Sequence, residues 1–244
     1  MTQRKDQIAA NLAKVEDRIA AACRAAGRGR EEVTLIVVTK TCPADDVRIL
    51  SELGVRHVAE NRDQDAAPKA AACSGLPLTW HFVGQLQTNK VRSVVGYADL
   101  VQSVDRSKLV MALSKEAVRA GGEVGCLIQV ALDAAEPVVG RGGLGERGGV
   151  APEGIEELGG LVAGAPGLRL DGLMAVAPLA GEYAGNQRAA FGRLMDLSTD
   201  LRRAHPAATM VSAGMSADLE QAVAAGATHV RVGTAVLGVR PRLG

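Results

Sequence analysis

Apolar and polar positions along this chain fall into two alternating patterns. Residues 3–27 place Ile8, Leu12, Val15, Ile19 and Ala22 at steps of three or four, the spacing of one buried helix face, and the pattern closes at Gly27. VTLIVVTK at 33–40 follows, a β-branched apolar run of the type found in strands covered on both faces of a parallel sheet. Helical stretches around 44–53, 62–73, 87–95, 106–120, 152–163, 186–204 and 217–225 then each precede a short apolar run. The predicted strands are 33–39, 55–60, 78–83, 98–103, 124–131, 168–174, 208–212 and 228–232.

Eight strands separated by helices over about 250 residues are the signature of a (β/α)8 TIM-type barrel, an α/β fold, here with an extra N-terminal helix. Periodicity does not show closure, so a doubly wound open sheet is the competing arrangement. No linker divides the chain, which reads as one domain over 1–244, with the helix at 1–27 and the barrel at 33–238. The Gly-rich stretch Gly140 to Gly149 follows the fifth strand, where a barrel carries a loop over its active face.

Composition narrows the function classes. Hydrophobic residues at 47% fill a sizeable core, and 28 Lys+Arg against 27 Asp+Glu give no global pull toward nucleic acid or an anionic membrane. Aromatics at 2% argue against a base-stacking platform. Cys23, Cys42, Cys73 and Cys126 form no CxxC pair, so neither a zinc site nor a disulfide framework is indicated, and a reducing cytoplasmic compartment is expected. Charges interrupt the N-terminal apolar positions, unlike a signal peptide or membrane span.

In a parallel barrel the C-terminal strand ends converge on one site, so polar residues that interrupt the runs there are the candidates. They are Lys40, Glu60 with Asn61, His81, Ser103 with Asp105, Gln129, Met174, Ser212 and Arg231. Lys40 follows IVVT and would project from an apolar strand into a partly dehydrated pocket. Desolvation there favours the neutral amine, a nucleophile toward aldehydes, although a strand-end lysine can equally snorkel to solvent. Lys69 and Lys90, the other nearby amines, are expected to face solvent or make secondary contacts. Ser216 stands where a helix N-cap is expected, with Asp218 and Glu220 in the first turn, so free backbone N–H groups would face the strand ends. The last strand finishes in Arg231, Val232, Gly233 and Thr234: a cationic fork, a residue permitting close backbone approach, and a hydroxyl. Strands one and eight are neighbours in a barrel, so an amine and a phosphate cradle would lie side by side. That combination suits pyridoxal 5′-phosphate.

Several stretches carry a resemblance: VVTKT (37–41), AENRDQ (59–64), WHFVGQLQTNK (80–90), VQSVD (101–105), DGLMAVAP (171–178), SAGMSADLEQAV (212–223) and THVRVGTAVLG (228–238). In order and over nearly the whole chain, they resemble the pyridoxal phosphate homeostasis proteins, whose domain is similar to the barrel domain of alanine racemases. The segment 133–149 matches only loosely. The resemblance implies that Lys40 carries the cofactor as an aldimine, that Ser216, Gly233 and Thr234 hold its phosphate, and that Arg231 faces the pyridine nitrogen. An arginine there keeps that nitrogen unprotonated and weakens the ring as an electron sink. Asn61, His81, Met174 and Ser212 are placed near the cofactor, while Glu60 and Asp105 serve either the site or the scaffold. Racemases use a second base, a tyrosine from a further domain, which neither Tyr97 nor Tyr183 matches. The expected function is therefore cofactor homeostasis and supply, with little or no turnover, by a monomer that serves pyridoxal-phosphate-dependent apo-enzymes. A racemase or a related enzyme of the same fold is the alternative.

Overall fold

A computed structural model describes residues 2–132, 148–179 and 181–238. Helix α1 (Thr2–Ala25) comes first, and then strands and helices alternate. The order is β1 (Thr34–Val38), α2 (Ala44–Glu52), β2 (His57–Glu60), α3 (Asp63–Ala72), β3 (Thr79–Phe82), α4 (Val91–Val95), β4 (Leu100–Val104) and α5 (Ser107–Ala120). It continues through β5 (Val124–Gln129), α6 (Ile155–Gly164), β6 (Leu168–Met174), α7 (Gln187–Ala204), β7 (Met210–Ser212), α8 (Leu219–Ala225), β8 (His229–Val232) and the single turn α9 (Thr234–Leu237). All eight strands pair in parallel in sequence order, and Thr34 to Val37 of β1 register with His229 to Val232 of β8. The sheet is a closed barrel, which decides against the open doubly wound arrangement. Most of the Gly140 to Gly149 stretch lies outside the described residues.

Side-chain alternation along the strands explains the layering. Leu35, Val37, Val58, Trp80, Val230 and Val232 point outward into a core shared with α1 and α2. Val101, Cys126, Ile128, Leu170, Leu173 and Val211 do the same on the other side of the barrel, under α5, α6 and α7. Alternate residues turn to the interior, and there the usual aliphatic filling gives way to polar groups: His81, Gln102 and Ser212 are fully buried and Arg231 nearly so. The four cysteines are buried and none is in a disulfide.

The extra helix α1 closes over the last two βα units. Its apolar face buries Ile8, Val15 and Ile19. Its polar residues reach backbone groups at the C-terminal units: Asn11 Nδ2 donates to the Val236 carbonyl at 3.1 Å, and Arg18 forks onto Glu220 at 2.7 and 3.0 Å while donating to the Ser216 carbonyl at 3.0 Å. Arg28 Nη1 bonds the carbonyls of Val223 and Ala227 at 2.9 Å each. No described helix is long and apolar enough to cross a membrane.

Candidate functional site

The mouth at the C-terminal strand ends collects most of the residues singled out from the sequence. Lys40 lies just beyond β1, Asn61 directly after β2, Met174 and Ser212 end β6 and β7, and Gly233 follows β8. Gly233 packs against the first strand: a Cβ there would stand 3.1 Å from the Val38 carbonyl oxygen and 3.4 Å from Val38 Cβ. The two ends of the barrel therefore meet where the sequence places the amine beside the cradle. Met174 is buried and registers with Ser212 on β7 and with Gln129 on β5. Gly84, after β3, leaves no room for a Cβ against the Asn61 backbone, which fixes the position of Asn61.

Arg231 is the most unusual group. It is 4% exposed, yet no carboxylate of the described residues lies within ion-pair distance of it. Its fork is spent on neutral oxygens, Nη1 donating to Ser212 Oγ at 2.7 Å and Nη2 to the Ala175 carbonyl at 2.9 Å. Burial lowers its pKa to about 10, and Asp218 only partly offsets this through space. An unpaired buried cation is expensive to keep, and such groups concentrate at functional sites.

From Arg231 a chain of hydrogen bonds crosses the barrel interior. Ser212 Oγ donates to Gln102 Oε1 at 2.7 Å, the Gln102 amide nitrogen meets His81 Nδ1 at 2.8 Å, and His81 Nε2 meets His57 Nδ1 at 3.0 Å. Arginine can only donate, so the direction of every later bond follows from that end. Ser212 must hand its hydroxyl proton to Gln102, whose amide then donates to His81 Nδ1. His81 is left neutral with its proton on Nε2. Its pKa is driven well below the usual histidine value by burial, then by His57, His229 and Arg231. His81 thus sits within the barrel, below the mouth, as a member of this chain. Gln102 and His57 escaped the sequence reading. The only signal for Gln102 is its alternation in LVQSV, since the contacts themselves join strands far apart in sequence.

Two expectations are corrected. Lys40 is exposed, because the chain leaves β1 in a turn: Cys42 N–H donates to the Thr39 carbonyl at 3.0 Å, with Lys40 and Thr41 at the corners. Thr41 has φ +63°, a left-handed conformation rarely adopted by a β-branched residue, costing on the order of 1–3 kcal/mol. Ser216 is not the N-cap of the following helix. It lies in a turn; Asp218 occupies the N-cap position of α8 without a side-chain bond to the helix, and its Oδ1 accepts from the Met215 amide at 2.6 Å. Ser216 is half-buried, and Thr234, directly after Gly233, is exposed. Of the two environments expected for Lys69, it takes the secondary contact: it is buried against Glu60 and donates to the Thr39 carbonyl at 2.8 Å.

Comparison with known proteins agrees with this architecture. Residues 6–241 match the family model of the alanine racemase N-terminal domain. The pyridoxal phosphate homeostasis protein of Pseudomonas aeruginosa is 41% identical over 233 residues, 96% of each chain. That of Escherichia coli K12 is 35% identical over 239 residues, 96% of this chain and 97% of its own. PipY of Synechococcus elongatus, solved with PLP bound, superposes with a TM-score of 0.78 at 33% identity, covering 95% of this chain and 100% of its own. An alanine racemase of Clostridium difficile shares the fold, with a TM-score of 0.71 at 14% identity, over 98% of this chain and 58% of the racemase. With 35–41% identity to such proteins over nearly its full length, and with the barrel just described, the chain belongs to the pyridoxal phosphate homeostasis protein family.

Proposed function

We infer that the chain binds pyridoxal 5′-phosphate at the mouth of the barrel and acts in holding and supplying that cofactor, with little or no turnover of its own. The observation that carries the reading is Arg231, a buried cation with no carboxylate partner among the described residues, on an otherwise neutral polar chain. A guanidinium held there supplies N–H groups to a ring nitrogen and, being cationic, opposes protonation of that nitrogen. When bound, the cofactor supplies an aldehyde and an electron-withdrawing ring, and an unprotonated nitrogen makes that ring a weaker electron sink. This favours storage over catalysis.

The other residues fit the same group. Lys40 Nζ is the amine that would hold the cofactor through its aldehyde, with the aldehyde oxygen released as water. Ser216, Gly233 and Thr234 would receive the phosphate, and Gly233 keeps its backbone close to β1, where a Cβ would stand 3.1 Å from the Val38 carbonyl oxygen. Asn61 and Met174 would border the ring, Ser212 bonds Arg231 directly, and His81 would act on it through Gln102 and Ser212. Residues 1–244 act as one cofactor-binding domain, a cytoplasmic monomer that passes its cofactor to apo-enzymes.

The test is incubation of the cofactor-loaded protein with single amino-acid enantiomers. No sustained turnover is expected, and racemisation at about 1 per second or faster would overturn the carrier reading in favour of an enzyme.

A further inference from the structure

Lys40 is presented by a turn that an internal ion pair grips from behind. Glu60, the last residue of β2, is fully buried, and Lys69 of α3 is 7% exposed. Lys69 Nζ bonds Glu60 Oε1 and also donates to the Thr39 carbonyl at 2.8 Å, while Thr39 Oγ1 donates to the same Glu60 oxygen at 2.6 Å. The Thr39 amide completes the grip on the Ala59 carbonyl at 2.9 Å. Every polar group of the residue preceding Lys40 is therefore tied to β2 or α3. The next residue, Thr41, holds a positive φ, a conformation that persists only where its surroundings over-determine it.

A buried ion pair is a poor way to gain stability, since apolar residues of similar volume commonly do as well. Its placement here serves geometry. We propose that Glu60 and Lys69 are positioning residues that hold the Thr39–Cys42 turn so that the Lys40 amine meets the aldehyde carbon at the barrel mouth. The proposal rests on the cofactor reading above and extends it: the pair acts on formation of the covalent link and leaves binding of the ring and phosphate untouched.

Two probes separate those steps. Pyridoxal 5′-phosphate reports the Schiff base, whose formation is followed by absorbance and whose location is fixed by borohydride trapping and peptide mass mapping. Pyridoxine 5′-phosphate has an alcohol in place of the aldehyde and reports non-covalent binding alone. In the double variant Glu60→Gln/Lys69→Met, which removes both charges at similar volume, Schiff-base formation should slow by about tenfold to a hundredfold, while pyridoxine phosphate affinity stays within about threefold. Thr39→Val should show the same split, and Thr39→Ser, which keeps the hydroxyl, should retain the wild-type rate. These single variants decide the matter if the double variant folds poorly. Unchanged rates in the folded double variant and in Thr39→Val, or equal losses for both probes, would overturn the clamp while leaving the cofactor reading intact. Failure of the wild type to trap any adduct on Lys40 would overturn both.

Discussion

Replacing Arg231 by methionine tests whether this buried cation belongs to a ligand or to the scaffold. Burial lowers its pKa from the ordinary arginine value to about 10, which corresponds to about 3 kcal/mol against keeping the charge inside the fold at neutral pH. Set against that are the charged hydrogen bonds to Ser212 Oγ and the Ala175 carbonyl, worth about 1.5–3 kcal/mol each. Together those bonds offset the cost or exceed it by up to about 3 kcal/mol. Arg231→Met should therefore destabilise the cofactor-free protein by no more than about 3 kcal/mol, at or below the low end of the 3–5 kcal/mol typical when one partner of a buried ion pair is removed. Urea unfolding of the cofactor-free variant measures this. Dialysis of the loaded variant measures cofactor retention, expected to fall by at least about tenfold because the ring nitrogen loses its donor. A loss of stability above about 4 kcal/mol with unchanged retention would make Arg231 a strut and remove it from the site.

Other outcomes follow from the same interior. Burial lowers the pKa of His229 to about 4, and those of His57 and His81 below the usual value. The unfolded chain then binds protons that the fold refuses. Stability should be flat above about pH 6.5 and fall toward pH 4, with about 3 kcal/mol of the loss due to His229 alone. Urea midpoints at pH 7 and 4.5 check this, and His229→Asn should flatten the profile; an unchanged slope would contradict the assignment. Gly84→Ala should cost about 1–3 kcal/mol and weaken cofactor retention, because the added Cβ must displace the Asn61 backbone. Wild-type stability and retention would show that this contact is not needed.

The barrel was legible in the sequence because several of its strands are apolar on both faces, and runs such as LIVV and GCLIQV stand out against the helical spacing around them. Element edges were less so. The helix expected to begin at Ala217 starts at Leu219 because Asp218 folds its carboxylate back onto the Met215 amide, a local turn that competes with the helix. Lys40 and Arg231 could be chosen from position alone, as polar residues closing apolar strands. The exposure of Lys40 could not, since it follows from the turn that carries the chain off β1. The Ser212–Gln102–His81–His57 chain and the Glu60–Lys69–Thr39 clamp were out of reach for another reason. Each is a set of long-range bonds whose members look ordinary singly, and alternation along one strand does not say what the next strand offers.

The most direct measurement is borohydride reduction of the protein loaded with pyridoxal 5′-phosphate, followed by peptide mapping. The account predicts one pyridoxyl group, on Lys40, absent from a folded Lys40→Ala variant. A reducible adduct on Lys69 or Lys90, or one that survives in Lys40→Ala, would contradict it.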